Sequence, residues 1–164
     1  MEKEVAQWMQ KIKDVKKGDI DLSRDEDLSI ALMNLISLEE HFYFTAMKTQ
    51  NNKYLDMLNS VRELRKKLLK KIVISPEGEE WCISKHLLAA SMRLIEVGTK
   101  ELGKKNEKEA TGFFNSAFDL YSLFFAINMK LIEPKKMEQM PDGENKIMRK
   151  FSAVIKKIVD CCKE

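Results

Sequence analysis

The chain has few of the residues that build turn-rich or cross-linked folds. Its 164 residues include 6 glycines, 3 prolines and 3 cysteines. A many-stranded sandwich or barrel punctuates its sequence with turn formers about every 8–12 residues, and this chain cannot supply them. Three cysteines are an odd number and two are the neighbours Cys161 and Cys162, so no paired disulfide framework follows. Reduced thiols and a cytoplasmic location are expected. No stretch reaches the roughly 18 uncharged apolar residues of a membrane span, and the opening MEKEVAQWMQKIKD lacks the apolar run of a signal peptide. Basic and acidic residues nearly balance, 29 against 26, so net charge does not select nucleic acid as a partner. Glycine-rich phosphate loops and a serine nucleophile elbow are missing too, which leans against an enzyme.

What is present reads as helix. A composition 44% hydrophobic and 34% charged is that of a globular domain, and this length is enough for one core. Apolar residues recur at helical spacing in six segments. Residues 2–17 place Val5, Trp8, Met9, Ile12 and Val15 on one side, and Gly18 ends the run. Ser23 with Glu26 reads as a capping box for a helix over about 24–49, apolar around most of its circumference and interrupted by Asn34, Ser37, His41 and Thr45. A third helix, about 52–74, turns Leu55, Leu58, Val61, Leu64, Leu68 and Ile72 inward. Ser75 and Pro76 are start signals for a fourth, which runs to about 102 before Gly103. The fifth, about 106–132, carries a dense aromatic surface with Asn115, Asp119 and Ser122 as its wet stripe, and Pro134 stops it. Residues 144–162 form the last, amphipathic through Ile147, Phe151, Val154, Ile155 and Ile158.

The expected fold is therefore all-α, a single-domain antiparallel bundle of about six helices with 24–49 and 106–132 at its centre. Residues 1–133 form the main bundle, 134–143 a linker, and 144–164 a C-terminal helix packed on it.

Two places gather side chains that could carry chemistry. Glu79, Cys82 and His86 share one helix face, and a carboxylate, a thiolate and an imidazole are all competent zinc ligands. His41, on a helix running in the same direction, is the candidate fourth ligand. The structural alternative has Glu79 in an exposed first turn, Cys82 as a small buried hydrophobe and His86 bonded to a neighbour. The second place is the basic run Arg62, Arg65, Lys66, Lys67, Lys70 and Lys71, which could neutralise phosphates or simply complement a helix C-terminus. Neither histidine is preceded three residues earlier by glutamate, which excludes a diiron carboxylate pattern.

Two local resemblances follow from these residues. Leu94, Gly98, Ala110, Phe114 and Ala117 have a spacing similar to that of a tetratricopeptide repeat, which implies a tight antiparallel hairpin and, in that family, peptide binding. It departs from the pattern at Glu101, where an aromatic is expected, and no second copy follows. The stretch from Glu79 to His86 partly resembles the Cys-x-x-Cys-x-x-x-His motif of the carboxymuconolactone decarboxylase and alkylhydroperoxidase-type family, with Cys82 and His86 matching. Glu79 stands where the first cysteine belongs, which removes that family's thiol redox cycle.

The sequence thus favours an interaction or scaffold module with a protein partner or a second copy, acting through apolar strips on the terminal helices around Trp8 and Phe151. A metal-binding or thiol-dependent bundle, with zinc as the candidate cofactor, and a nucleic-acid binder are the alternatives.

Overall fold

The computed structural model describes residues 22–131. They form four helices: α1 (Ser23–Thr49), α2 (Lys53–Leu69), α3 (Glu80–Gly103) and α4 (Glu107–Asn128). No strand occurs among the described residues. The all-α bundle is thus observed with four helices rather than about six. The segments expected at 2–17 and 144–162, the linker 134–143, and Trp8 and Phe151 lie outside the described residues.

The helices pair as two antiparallel hairpins. In the first, Arg65 near the end of α2 holds Glu39 in the middle of α1, and Tyr54 at the start of α2 lies 6.5 Å from Phe42 further along α1. In the second, the face of α3 that carries Ser84, Ser91 and Gly98 repeats every seven residues, as does the Ala110, Ala117 and Phe124 face of α4. Small residues at that period let two helices approach closely along a shared seam. The approach is tightest at Gly98, where an added Cβ would stand 2.6 Å from the Phe114 ring. Buried Ser91 donates to the Ala117 carbonyl across the seam at 2.8 Å, and Asn128 donates to the Ser84 hydroxyl at 3.0 Å.

Left-handed residues, none of them glycine, end three of the helices. Lys105 (φ 63) closes α3: its N–H donates to Leu102, and the Asn106 N–H reaches back to Glu101. Lys130 (φ 54) closes α4 the same way through Ile127 and Ala126. Both are Schellman motifs. Gln50 (φ 54) ends α1 with a single bond to Ala46. Helix α3 ends at Gly103, where the sequence places its end, but the left-handed residue that closes it is Lys105 rather than the glycine.

Three other start and stop signals act differently from expectation. Ser23 is already helical and no side chain caps α1. Helix α2 ends at Leu69, and 70–73 continue in tight turns with i to i−3 bonds such as Lys71 to Leu68. Ser75 is left-handed (φ 49) and does not cap α3, which begins only at Glu80. There the Glu80 carboxylate reaches back to accept the Glu77 N–H at 2.9 Å, which ties the turn before the helix to its first residue.

The core lies where the two hairpins meet. It joins Leu32 and Met33 of α1, Leu69, Ile72 and Val73 at the end of α2, Leu87 and Leu88 of α3, and Tyr121, Leu123, Phe124, Phe125 and Ile127 of α4. Residues 121–127 are buried without a break, so the second half of α4 is central as expected. Ser122, expected in a wet stripe, is fully buried and satisfied by the Phe118 carbonyl. Helix α1 is not central: only Glu26, Ser29, Leu32, Met33 and Ala46 are buried. Leu55 and Leu64 of α2 also face outward, because a helix that rests on a single neighbour hides only a narrow stripe.

Candidate interaction surface

Three polar contacts fix how the elements around the core sit. Ser29 donates to the Glu26 carbonyl at 2.6 Å, which uses its only proton, so the Tyr121 hydroxyl 2.7 Å away serves as donor to Ser29. Burial pushes the Tyr121 hydroxyl up to about 12; the Ser29 bond opposes this, and Glu26 and Asp27 add to it. Tyr121 is therefore a neutral bolt between α4 and α1. Arg65, whose side chain is 4% exposed, makes a two-pronged contact with Glu39 at 2.8 and 3.2 Å. Lys130, after α4, binds the buried Glu80 carboxylate at the start of α3. Burial raises the Glu80 pKa, but the Lys130 bond, the Glu77 N–H and the Lys130 charge outweigh it, leaving the carboxyl below its usual range.

The candidate metal ligands do not gather. Glu79, Cys82 and His86 do share a face, but it points away from the Ser84, Ser91 and Gly98 seam, and all three side chains are exposed. His41 is exposed on α1 beside its neighbour Phe42. No three His, Cys, Asp or Glu side chains among the described residues stand close enough to hold a metal ion. The reading of Cys82 as a buried hydrophobe is corrected as well. Helical period places residues on a common face but does not say whether that face looks inward.

The basic run also divides. Arg65 is taken by Glu39 and cannot reach a phosphate. Lys66 bonds Glu63, whose carboxyl is held low mainly by that bond, with Lys66, Lys67 and Arg62 adding their charge. Arg62, Lys67, Lys70 and Lys71 remain exposed, with an acid set among them.

The feature that periodicity did not reveal is a set of exposed large apolar side chains on the far halves of α1 and α3. On α1 one row runs Ser29, Met33, Ile36, Glu40, Tyr43 and Met47; on α3 Ile95 and Leu102 flank Gly98 at the far end of the face that meets α4. Up to the ion pair between Glu40 and Arg93 the α1 row is mostly covered. Beyond it Tyr43, Phe44, Met47 and Leu102 are 49%, 51%, 45% and 50% exposed, and Ile95 and Val97 are exposed with them. Tyr43 and Phe44 lie edge to face at 5.2 Å, forming one aromatic ledge. An apolar hollow between the end of α2 and the start of α3 is lined by Val73, Ile74, Pro76 and Trp81, with Lys70 beside them. No helix among the described residues is long and apolar enough to cross a membrane.

Comparison of the chain with protein-family models, with characterised proteins and with solved structures returned no match.

Proposed function

We propose that the protein is an interaction or scaffold module whose docking face is the exposed apolar surface on the far halves of α1 and α3. One observation carries this reading. Beyond the Glu40–Arg93 ion pair, large apolar side chains of two helices, Tyr43, Phe44 and Met47 on α1 and Ile95, Val97 and Leu102 on α3, are exposed. Scattered exposed leucines are ordinary on a protein surface, whereas a contiguous apolar patch between two helices suits the apolar face of a third. Aromatic and methionine side chains also suit such a role, since they offer large area at low entropic cost and adapt to the partner's shape.

A photo-crosslinking amino acid at position 44, with one at position 86 on the outer face as control, tests the reading in cells. The expected result is one discrete protein adduct from position 44, lost when Tyr43→Asp and Met47→Asp are combined, and none from position 86. Equal labelling at both positions, or no protein adduct at position 44, would contradict it.

A further inference from the structure

We infer that the turn between α2 and α3 is a second docking surface and that its partner is an anionic lipid surface, into which Ile74 inserts. The turn lies beside the start of α1, where Arg24 donates to the Lys71 carbonyl, at the other end of that helix from Tyr43, Phe44 and Met47. It therefore stands apart from the docking face on the far halves of α1 and α3, and three observations support it.

The first is an apolar side chain held out of the fold. Ile72 and Val73 belong to the core, and the next residue, Ile74, is 68% exposed, the highest value among the large apolar side chains of the described residues. Its N–H donates to the Ile72 carbonyl at 3.0 Å, and left-handed Ser75 (φ 49) with the fixed backbone of Pro76 sets the turn beyond it. The second is what surrounds Ile74. It shares a hollow with Val73, Pro76 and Trp81, with Lys70 in the same lining. Trp81 is half-buried, and an indole that is part packed and part wet suits the depth of lipid headgroups.

The third is charge. Lys67, Lys70 and Lys71 at the end of α2 are exposed and Lys85, one turn after Trp81, is half-exposed; among the described residues no carboxylate holds any of these four ammonium groups. Arg65 and Lys66, which hold Glu39 and Glu63, add nothing to this set. Of the acids at the start of α3, Glu80 is held by Lys130, and Glu79, two positions before Trp81, points about 160° away from it around the helix. Glu77 is left to oppose the cations. Free lysines beside a protruding aliphatic side chain match a surface that is anionic at its headgroups and apolar beneath them. Nucleic acid would match the lysines but leave Ile74 without a role. An acidic protein would match them too, and vesicles of lipid alone separate that partner from this one.

Sedimentation of the full-length protein with vesicles of phosphatidylcholine containing about 30% phosphatidylserine tests this against vesicles of phosphatidylcholine alone. Binding to the anionic vesicles is expected to be at least roughly tenfold stronger and to weaken as salt is raised. In a Trp8→Phe background Trp81 is the sole indole, and its emission should shift to the blue and be quenched by lipids with brominated acyl chains. Ile74→Asp, and separately Lys70→Gln combined with Lys71→Gln, should each weaken binding at least roughly tenfold while keeping the wild-type urea midpoint. Ile74→Leu should retain it, and Glu77→Gln should strengthen it. Failure to bind the anionic vesicles would overturn the inference. So would equal binding to both vesicles, binding that survives Ile74→Asp with Trp81 unquenched, or lysine-dependent retention on single-stranded RNA without vesicle binding, which would make nucleic acid the partner. The two readings fail separately: Tyr43→Asp with Met47→Asp should leave vesicle binding unchanged, an adduct at position 44 without vesicle binding sinks only this inference, and vesicle binding without the adduct sinks only the docking face on α1 and α3.

Discussion

The two hairpins are built on opposite terms. Between α3 and α4, small residues every seventh position bring the backbones together, and the contacts along the seam are neutral, Ser91 to Ala117, Asn128 to Ser84 and Gly98 against the Phe114 ring, with the Lys130–Glu80 ion pair at its end. Between α1 and α2 a charged pair, Glu39 with Arg65, does the closing, and large apolar side chains remain outside it. Close packing fills space and leaves little surface to offer. The α1–α2 hairpin, joined by the Glu39–Arg65 ion pair, the Phe42–Tyr54 contact and core residues at one end, keeps Tyr43, Phe44 and Met47 exposed. The difference suggests a division of labour, with α3 and α4 as the frame and the far half of α1 as the presented edge.

Substitutions can break or sharpen this contrast. The largest effect is expected in the frame: Phe124→Ala empties a fully buried site and should cost about 3–5 kcal/mol in urea unfolding, against under about 1 kcal/mol for Phe44→Ala on the open edge. Next comes Glu39→Ala, which strands the buried Arg65 guanidinium. A loss of about 2–3 kcal/mol is expected, the low end for a broken buried pair because the Glu39 side chain is 14% exposed. Gly98→Ala gains helix propensity of about 1 kcal/mol but drives a methyl into the Phe114 ring; a net loss of about 1 kcal/mol is expected, and a gain would show the seam to be loose. The smallest effect is pH-dependent. The Glu80 pKa is lowered in the folded protein, so its contribution is present above the ordinary value of 4.5 and is lost as pH falls through the lower folded value. The urea midpoint of Glu80→Gln should therefore vary less with pH below about 4.5 than that of the wild type.

The helical class and three of the four helix positions were legible because apolar period is a strong signal: α1 was expected over about 24–49 and observed at Ser23–Thr49, and α3 and α4 end near their expected limits. The hairpin seam was legible through Gly98, Ala110 and Ala117, whose small size has no purpose on an exposed face. Helix ends were harder, since Lys105 and Lys130 adopt a conformation that usually signals its presence as glycine. The candidate site was not legible. Glu79, Cys82 and His86 keep their helical spacing but sit on the far side of α3, and Arg65 reads as one more cation until Glu39 is placed beside it. An apolar side chain in a repeating row looks the same in sequence whether or not a neighbour covers it, so Tyr43, Met47, Ile95 and Leu102 were indistinguishable from core.

The contrast between frame and edge is tested most directly by native-state hydrogen exchange in low denaturant. Amides of Leu88 and Phe124 are expected to exchange only through global unfolding, with the full denaturant dependence, while those of 43–47 exchange through a smaller opening of lower free energy and weak denaturant dependence. A single free energy and a single slope shared by both sets would contradict the account.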